Sequence, residues 1–215
     1  MILKTLAVRP FNSNCYIVGS EATREAMIVD PGAEPDTILS TLAELDLKAV
    51  ILVATHGHAD HVGAVQAIRE ATGAPFAQHE LECGNPFVEK MVERISRMLN
   101  VSCEPPAPPD RLLVEGDAIE VGELRFTVIH IPGHSDGGIA LYGEGVVFSA
   151  DSLFQFDVGQ TGFPGGNYKA MMAAICEKLL VLPDETVVYP GHGFPTVIHR
   201  EREWNPFVRA WRQGA

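Results

Sequence analysis

The sequence predicts an α/β sandwich, with two β-sheets packed face to face and helices covering their outer sides. Two observations carry this. Short apolar runs rich in Val and Ile recur in both halves of the 215-residue chain, each closing on a turn with Gly, Pro or a small polar residue. Each half also holds segments whose apolar residues fall at helical spacing, as expected of helices that cover a sheet on one side. A third observation places the chemistry: histidines and aspartates gather just after the apolar runs, at the carboxyl ends of the predicted strands.

Element by element, the chain opens strand-rich as far as Val29, with Asn14-Cys15-Tyr16-Ile17-Val18 inside that stretch. A helix over 35–44 follows, because Ile38, Leu39, Leu42 and Leu45 share one side. The run Ala49-Val50-Ile51-Leu52-Val53 reads as a buried strand and 62–71 as a short helix, with Ala74-Pro75-Phe76-Ala77 as the next strand. Asn85-Pro86 reads as an N-cap with proline at the first helical position. The helix it opens carries Val88, Met91, Val92, Ile95, Met98 and Leu99 along one side, a stripe read as core packing, with a substrate mouth as the alternative. Residues 104–110 form a stiff proline-rich connector, not a domain boundary, because metal-type residues lie on both sides of it. Hairpin-like strands over 119–130 and 139–148 and a helix over 167–180, ending before Pro183, complete the second half.

The strand-to-helix turn after Val53 contains His56-Gly57-His58-Ala59-Asp60-His61, four donors within six residues. In an extended stretch, residues two apart share a side, so His56 and His58 can serve one ion while Asp60 and His61 face another. Three further strand ends deliver one donor each: Pro132-Gly133-His134-Ser135, Ser149-Ala150-Asp151 and Tyr189-Pro190-Gly191-His192-Gly193. A mixed imidazole and carboxylate set suits zinc, iron or manganese. Two divalent ions sharing a hydroxide lower its proton affinity and polarise a carbonyl, so no serine or cysteine nucleophile is required. Asp60 and Asp151 are both candidate proton relays, and the sequence does not choose between them. His79, His130 and His199 lie outside any ligand motif and read as structural.

These phrases, with Thr55 before the first histidine, Ser152-Leu153-Phe154 after Asp151 and Val29-Asp30-Pro31-Gly32 upstream, resemble the metallo-β-lactamase superfamily, and within it the glyoxalase II-like branch. The resemblance runs from about residue 12 to about residue 206. It implies an αββα sandwich of two mixed sheets with the site at one edge between them. It also implies two divalent metal ions, zinc first among them: His56, His58 and His134 on one, Asp60, His61 and His192 on the other, and Asp151 bridging. Asp30 maps to an outer aspartate behind the ligands, although Asp-Pro-Gly is also an ordinary turn.

With 46% hydrophobic and 20% charged residues, the chain reads as one soluble domain, 1–215. The first ten residues are too soon interrupted for a secretory signal and no apolar stretch reaches membrane-spanning length, so a cytoplasmic enzyme without a membrane partner is expected. Cys15, Cys83, Cys103 and Cys176 show no paired spacing and are expected to be reduced; Cys15 reads as core, and only Cys83 and Cys103 could approach one another. The net charge of −12 argues against nucleic acid as a partner, and so against the RNA-processing nucleases that share the metal motif.

The resemblance implies attack of metal-bound hydroxide on a small-molecule thioester, a hydroxyacylglutathione such as S-D-lactoylglutathione being the first candidate. Two departures bear on that substrate. Only 196–215 follows the last ligand, enough for one or two helices carrying Arg200, Arg202, Trp204, Arg209 and Trp211, but not for the family's full glutathione-binding helical domain. The family's Gly-Arg-Thr-Asp phrase is here Gly159-Gln160-Thr161-Gly162, without its charge pair. The rival is a persulfide dioxygenase with one iron on His56, His134 and Asp151; a lactonase and a non-catalytic metal-binding module are further alternatives. His58 stands where flavodiiron proteins carry glutamate, which disfavours that branch.

Overall fold

The computed structural model describes residues 1–84, 90, 93–94, 96–97 and 105–214. Asn85-Pro86, the apolar stripe expected of the helix they open, and Cys103 lie outside the described residues. Among those described, all strands but one short hairpin belong to two six-stranded sheets. The first contains β1 (Ile2–Val8), β2 (Ser13–Gly19), β3 (Glu25–Val29), β4 (Lys48–Val53), β5 (Phe76–His79) and β6 (Arg111–Leu113), side by side in that order. The second runs β7 (Ala118–Val121), β8 (Leu124–His130), β9 (Ile139–Gly143), β10 (Val146–Ala150), β13 (Val187–Pro190) and β14 (Thr196–Val197). Between β10 and β13 in sequence, β11 (Leu153–Phe154) and β12 (Asp157–Val158) form a small separate hairpin.

Both sheets are mixed, as expected. β1, β2 and β3 are antiparallel, while β3 to β6 are parallel. In the second sheet β7 to β10 are antiparallel and β10 pairs parallel with β13. Each parallel pair requires a crossover, and for three of the four pairs the described helices provide it. α1 (Pro35–Glu44) links β3 to β4, α2 (Ala59–Val62) and α3 (Val65–Thr72) link β4 to β5, and α4 (Tyr168–Ala174) lies between β10 and β13. Asn167 caps α4 by accepting the Ala170 N–H, and a wider π-helical turn, Ile175–Leu179, continues it. The tail forms α5 (Ile198–Trp204) and α6 (Pro206–Arg212), the second capped by Asn205.

Strand alternation produces three apolar layers. Val18, Met27, Val29 and Val53 face the second sheet and pack with Ile119, Phe126, Val128, Leu141 and Phe148. Their neighbours Ile17, Ile28 and Leu52 turn the other way, onto Ile38 and Leu42 of α1 and Val65 and Ile68 of α3. On the far side Val147 and Val188 meet Met171 and Met172 of α4, Ile198 of α5 and Val208 of α6. The order is helix, sheet, sheet, helix. Among the described residues no helix is long and apolar enough to cross a membrane.

One local expectation needs correction. The segment read as a single helix over 62–71 is two, and the first begins at Ala59, so Asp60 and His61 sit on a helical turn and not in an extended stretch. The amides of His61 and Val62 already bond back to the His58 carbonyl. Asp60 and His61 therefore leave the direction of His56 and His58 by helical rotation, which separates the two pairs of donors as expected but by a different backbone path.

Candidate metal centre

The seven donors singled out in the sequence converge at one edge of the sandwich. Ring nitrogens and carboxylate oxygens come within 4.8 Å of one another in three groups: His56, His58 and His134; Asp60, His61 and His192; and His56, His61 and Asp151. The loop after β4 delivers the first four donors. His134 follows β8, Asp151 follows β10 immediately, and His192 follows β13. Close backbone approach is needed to seat Asp151: a Cβ on Gly191 would lie 2.0 Å from Asp151 Oδ1 and 2.9 Å from His61 Cε1. Ala150, just before it, is held at φ +52°, a conformation a non-glycine residue adopts only under local constraint.

Hydrogen bonds behind the rings decide which nitrogen faces inward. Asp30, buried behind the turn, accepts from the Thr55 amide at 2.7 Å, from the Thr55 hydroxyl at 2.7 Å and from His61 Nδ1 at 3.0 Å. His61 Nδ1 thus carries the proton, and Nε2 points into the site. The Thr55 hydroxyl, having spent its hydrogen on Asp30, can only accept from His56 Nδ1 at 3.2 Å, which leaves His56 Nε2 its lone pair, facing His58 Nδ1 at 3.1 Å. His134 Nδ1 faces the Gln160 carbonyl at 2.7 Å and must donate to it, so its Nε2 also faces inward as an acceptor. One aspartate and two backbone or hydroxyl acceptors therefore fix three tautomers in the form a cation requires.

Electrostatics sort the histidines. Burial drives His58 down to about 3, helped by His134 and His61, and burial with the same like charges drives His56 well below its ordinary value. Burial would lower His61 too, but the carboxylates of Asp60, Asp151 and Asp30 outweigh it and raise His61 to about 10. Burial would raise Asp60, yet His61 and His192 hold it far below the usual carboxylate range. With no cation present, a proton on His61 supplies the positive charge these aspartates demand. A metal ligand must give that proton up. Cation uptake through His61 at neutral pH is therefore expected to release a proton, and affinity should rise with pH as that proton becomes easier to remove. Calorimetric titration with zinc in buffers of different ionisation enthalpy checks this; uptake without proton release would contradict it.

Several supporting residues carried no signal in the sequence. Glu82, in a 3-10 turn after β5, is buried, and its two carboxyl oxygens accept from the amides of Gly57 at 2.9 Å and Gly137 at 2.7 Å. It ties the His56-Gly57-His58 loop to the loop that follows His134. Asn14 donates to the carbonyls of Pro190 and Gly193, both at 3.0 Å, bracketing His192, and the Ser13 hydroxyl donates to the Asp60 carbonyl at 2.6 Å. The three histidines read as structural stay outside the donor groups: His79 stacks on His130 with centroids 4.4 Å apart, and His199 lies near Asp184. Cys15 is buried in the core, and Cys83 is a free, exposed thiol.

Five of the donors, His58, Asp60, His134, Asp151 and His192, line a cavity of about 660 Å³ together with Phe11, Phe154, Gln155, Asp157, Gln160, Phe163 and Phe194. A family model described as the metallo-beta-lactamase superfamily matches residues 8–192. The chain belongs to that superfamily. Its relatives there include hydroxyacylglutathione hydrolase GloC of Haemophilus influenzae, 32% identical over 98% of this chain and 99% of that protein. Similar solved structures include the B3 metallo-beta-lactamase BLEG-1, with TM-score 0.86, 33% identity and coverage of 96% of this chain and 99% of that one. TTHA1623 in a di-iron-bound form gives 0.82 and 36% over 96% and 100%, and ETHE1 from Myxococcus xanthus gives 0.81 and 34% over 98% and 85%. Members of the superfamily bind divalent metals, and the site in this member fits such a cation. Beyond the converging donors, His61 Nε2 and Asp151 Oδ1 are buried without a hydrogen-bond partner among the described residues, as groups awaiting a cation would be.

Proposed function

We propose that the protein is a metal-dependent thioester hydrolase, carried on one domain spanning 1–215, with a hydroxyacylglutathione such as S-D-lactoylglutathione as its first candidate substrate. The observation that carries the reading is a complete imidazole and carboxylate set opening directly into a substrate-sized cavity. Similarity to GloC supports the substrate class. We assign His56, His58 and His134 to one ion, Asp60, His61 and His192 to a second, and Asp151 to both, with zinc the first candidate and iron or manganese the others. Bound divalent ions supply Lewis acidity, lowering the proton affinity of water and polarising a carbonyl.

The chain's own residues position that chemistry. Asp30 holds His61 directly and His56 through Thr55, while Gln160 holds His134 through its carbonyl. Asp60 and Asp151 both reach the cavity, and proton uptake during hydrolysis is assigned to this pair. Phe163 packs edge-on against His58 and His134, at centroid distances of 5.2 and 5.7 Å, and excludes water from that flank. The products are a carboxylic acid and a free thiol.

A second reading, oxygenation of a persulfide by one iron, is favoured by one observation, the 34% identity to ETHE1 from Myxococcus xanthus. Metal analysis of the purified protein, coupled to thioester hydrolysis and to oxygen consumption with glutathione persulfide, separates the two. Thiol release from lactoylglutathione by the zinc-loaded protein, without oxygen uptake by the iron-loaded form, is the expected result. Oxygen consumption without thiol release would replace the hydrolase reading.

A further inference from the structure

Four phenylalanines from four separate segments ring the cavity mouth. Phe11 lies in the turn between β1 and β2, Phe154 in the β11–β12 hairpin, Phe163 in the loop before α4, and Phe194 just after His192. Phe11, Phe163 and Phe194 are 41%, 38% and 77% exposed. Scattered exposed phenylalanines are ordinary, but several around one opening form an apolar surface that has use only when covered. Two of them also lie beside the donors: Phe163 edge-on to His58 and His134, and Phe154 with its ring centroid 6.5 Å from that of His192. Whatever occupies the space above the donors meets aromatic side chains from separate segments.

The polar side chains of the lining point the same way. Apart from the donors themselves, the charged side chain among the described lining residues is Asp157, an anion; Gln155 and Gln160 are neutral. Neither Arg200 nor Arg202 of the tail is among the lining residues. Arg202 donates to the carbonyls of Leu180 and Leu182 and pairs with Asp184, and Arg200 lies over the Phe156 ring at 5.5 Å. The mouth can thus supply binding energy to apolar surface through desolvation and ring contacts.

Resting on the thioester-hydrolase reading, we propose that the acyl group preferred by this site is apolar: a 2-hydroxyacyl thioester bearing an aryl or bulky alkyl substituent, seated among Phe154, Phe163 and Phe194, in preference to a lactoyl thioester. Added apolar carbons in such a pocket discriminate by roughly 10–200-fold. With the thiol held constant, S-mandeloylglutathione should be hydrolysed with a kcat/KM at least about tenfold above that of S-D-lactoylglutathione.

The test compares these two substrates on the metal-loaded protein and on Phe163→Ala and Phe194→Ala; the exposed position of Phe194 makes loss of fold no explanation for its result. The mandeloyl-to-lactoyl ratio should fall towards unity in both variants. Calorimetric binding of two unreactive thioethers, S-(2-hydroxy-2-phenylethyl)glutathione and S-(2-hydroxypropyl)glutathione, supplies a readout independent of turnover. Tighter binding of the phenyl compound, lost in the variants, supports the inference even if no thioester is cleaved, in which case only the hydrolase reading falls. Turnover favouring lactoyl, or a preference untouched by both substitutions, overturns the inference while leaving the hydrolase reading in place. Absence of both cleavage and aryl preference overturns both.

Discussion

Asp151→Asn should leave the fold in place and remove most of the activity together with the ability to hold a metal pair. The carboxylate stands between the two halves of the donor set: Oδ1 is 3.6 Å from His61 Nε2, and Oδ2 is 3.6 Å from both His134 Nε2 and His192 Nε2. An amide keeps the shape but removes the negative charge that offsets the repulsion between two cations, and it turns an NH2 towards one of them. The loss should exceed the roughly 10–100-fold that follows removal of an outer hydrogen-bond partner from a metal ligand. Metal content by mass spectrometry and thioester turnover are the measurements. A variant that kept two ions and near-normal turnover would show that Asp151 does not bridge.

Glu82→Ala is the second large effect expected, at a residue that touches no substrate. Its two oxygens satisfy the buried amides of Gly57 and Gly137, and the alanine variant leaves both N–H groups without a partner. Each unsatisfied buried donor costs about 1–3 kcal/mol, so a loss of about 2–6 kcal/mol is expected in urea unfolding. The two loops it joins carry His56, His58 and His134, so affinity for an ion at that trio should fall while the Asp60, His61 and His192 group is affected less. Glu82→Gln separates structure from charge: one amide oxygen can still accept, and its stability should lie between wild type and Glu82→Ala. Unchanged metal affinity and unchanged unfolding in both variants would remove the clamp from the account.

Much of this arrangement was legible in the sequence because its signals are local. The donors stand next to uninterrupted apolar runs, and a strand buried on both faces announces itself by that continuity, as Leu52 and Val53 do before the first turn. The helical turn at Asp60 and His61 was not legible. Ala59-Asp60-His61-Val62 is too short to show a period, and what bends it is the His58 carbonyl accepting two amides. Glu82 was hidden for the opposite reason: its partners lie 25 and 55 positions away, and in Glu80-Leu81-Glu82 it looks like any solvated acid. Asp30 was visible as a turn residue, but its command of two histidines depends on Thr55 and on the rotation of α2. The phenylalanine mouth draws one residue from each of four segments, so no window of sequence contains it.

The ligand sets also bear on the order in which the molecule comes together. His56, His58, Asp60 and His61 depart from the first sheet, and His134, Asp151 and His192 from the second, so each trio takes two donors from one sheet and one from the other. Under the proposed assignment, neither half owns a complete coordination sphere. A nascent chain with only its first half folded could offer a cation the short His56 to His61 segment and little more, and firm capture must wait until the sheets have docked. Once seated, ions would join the two sheets at an edge that backbone hydrogen bonds cross near the Ser13–His192 bridge, where the Asn14 amide donates to the Gly191 carbonyl, and where the Ile139 amide donates to the Thr55 carbonyl. Opening of that edge and escape of the ions then become one event. Amide exchange in the loops after β4 and β10 should accelerate on chelation before the apolar layer between the sheets loosens, making this edge the first part of the molecule to register metal starvation.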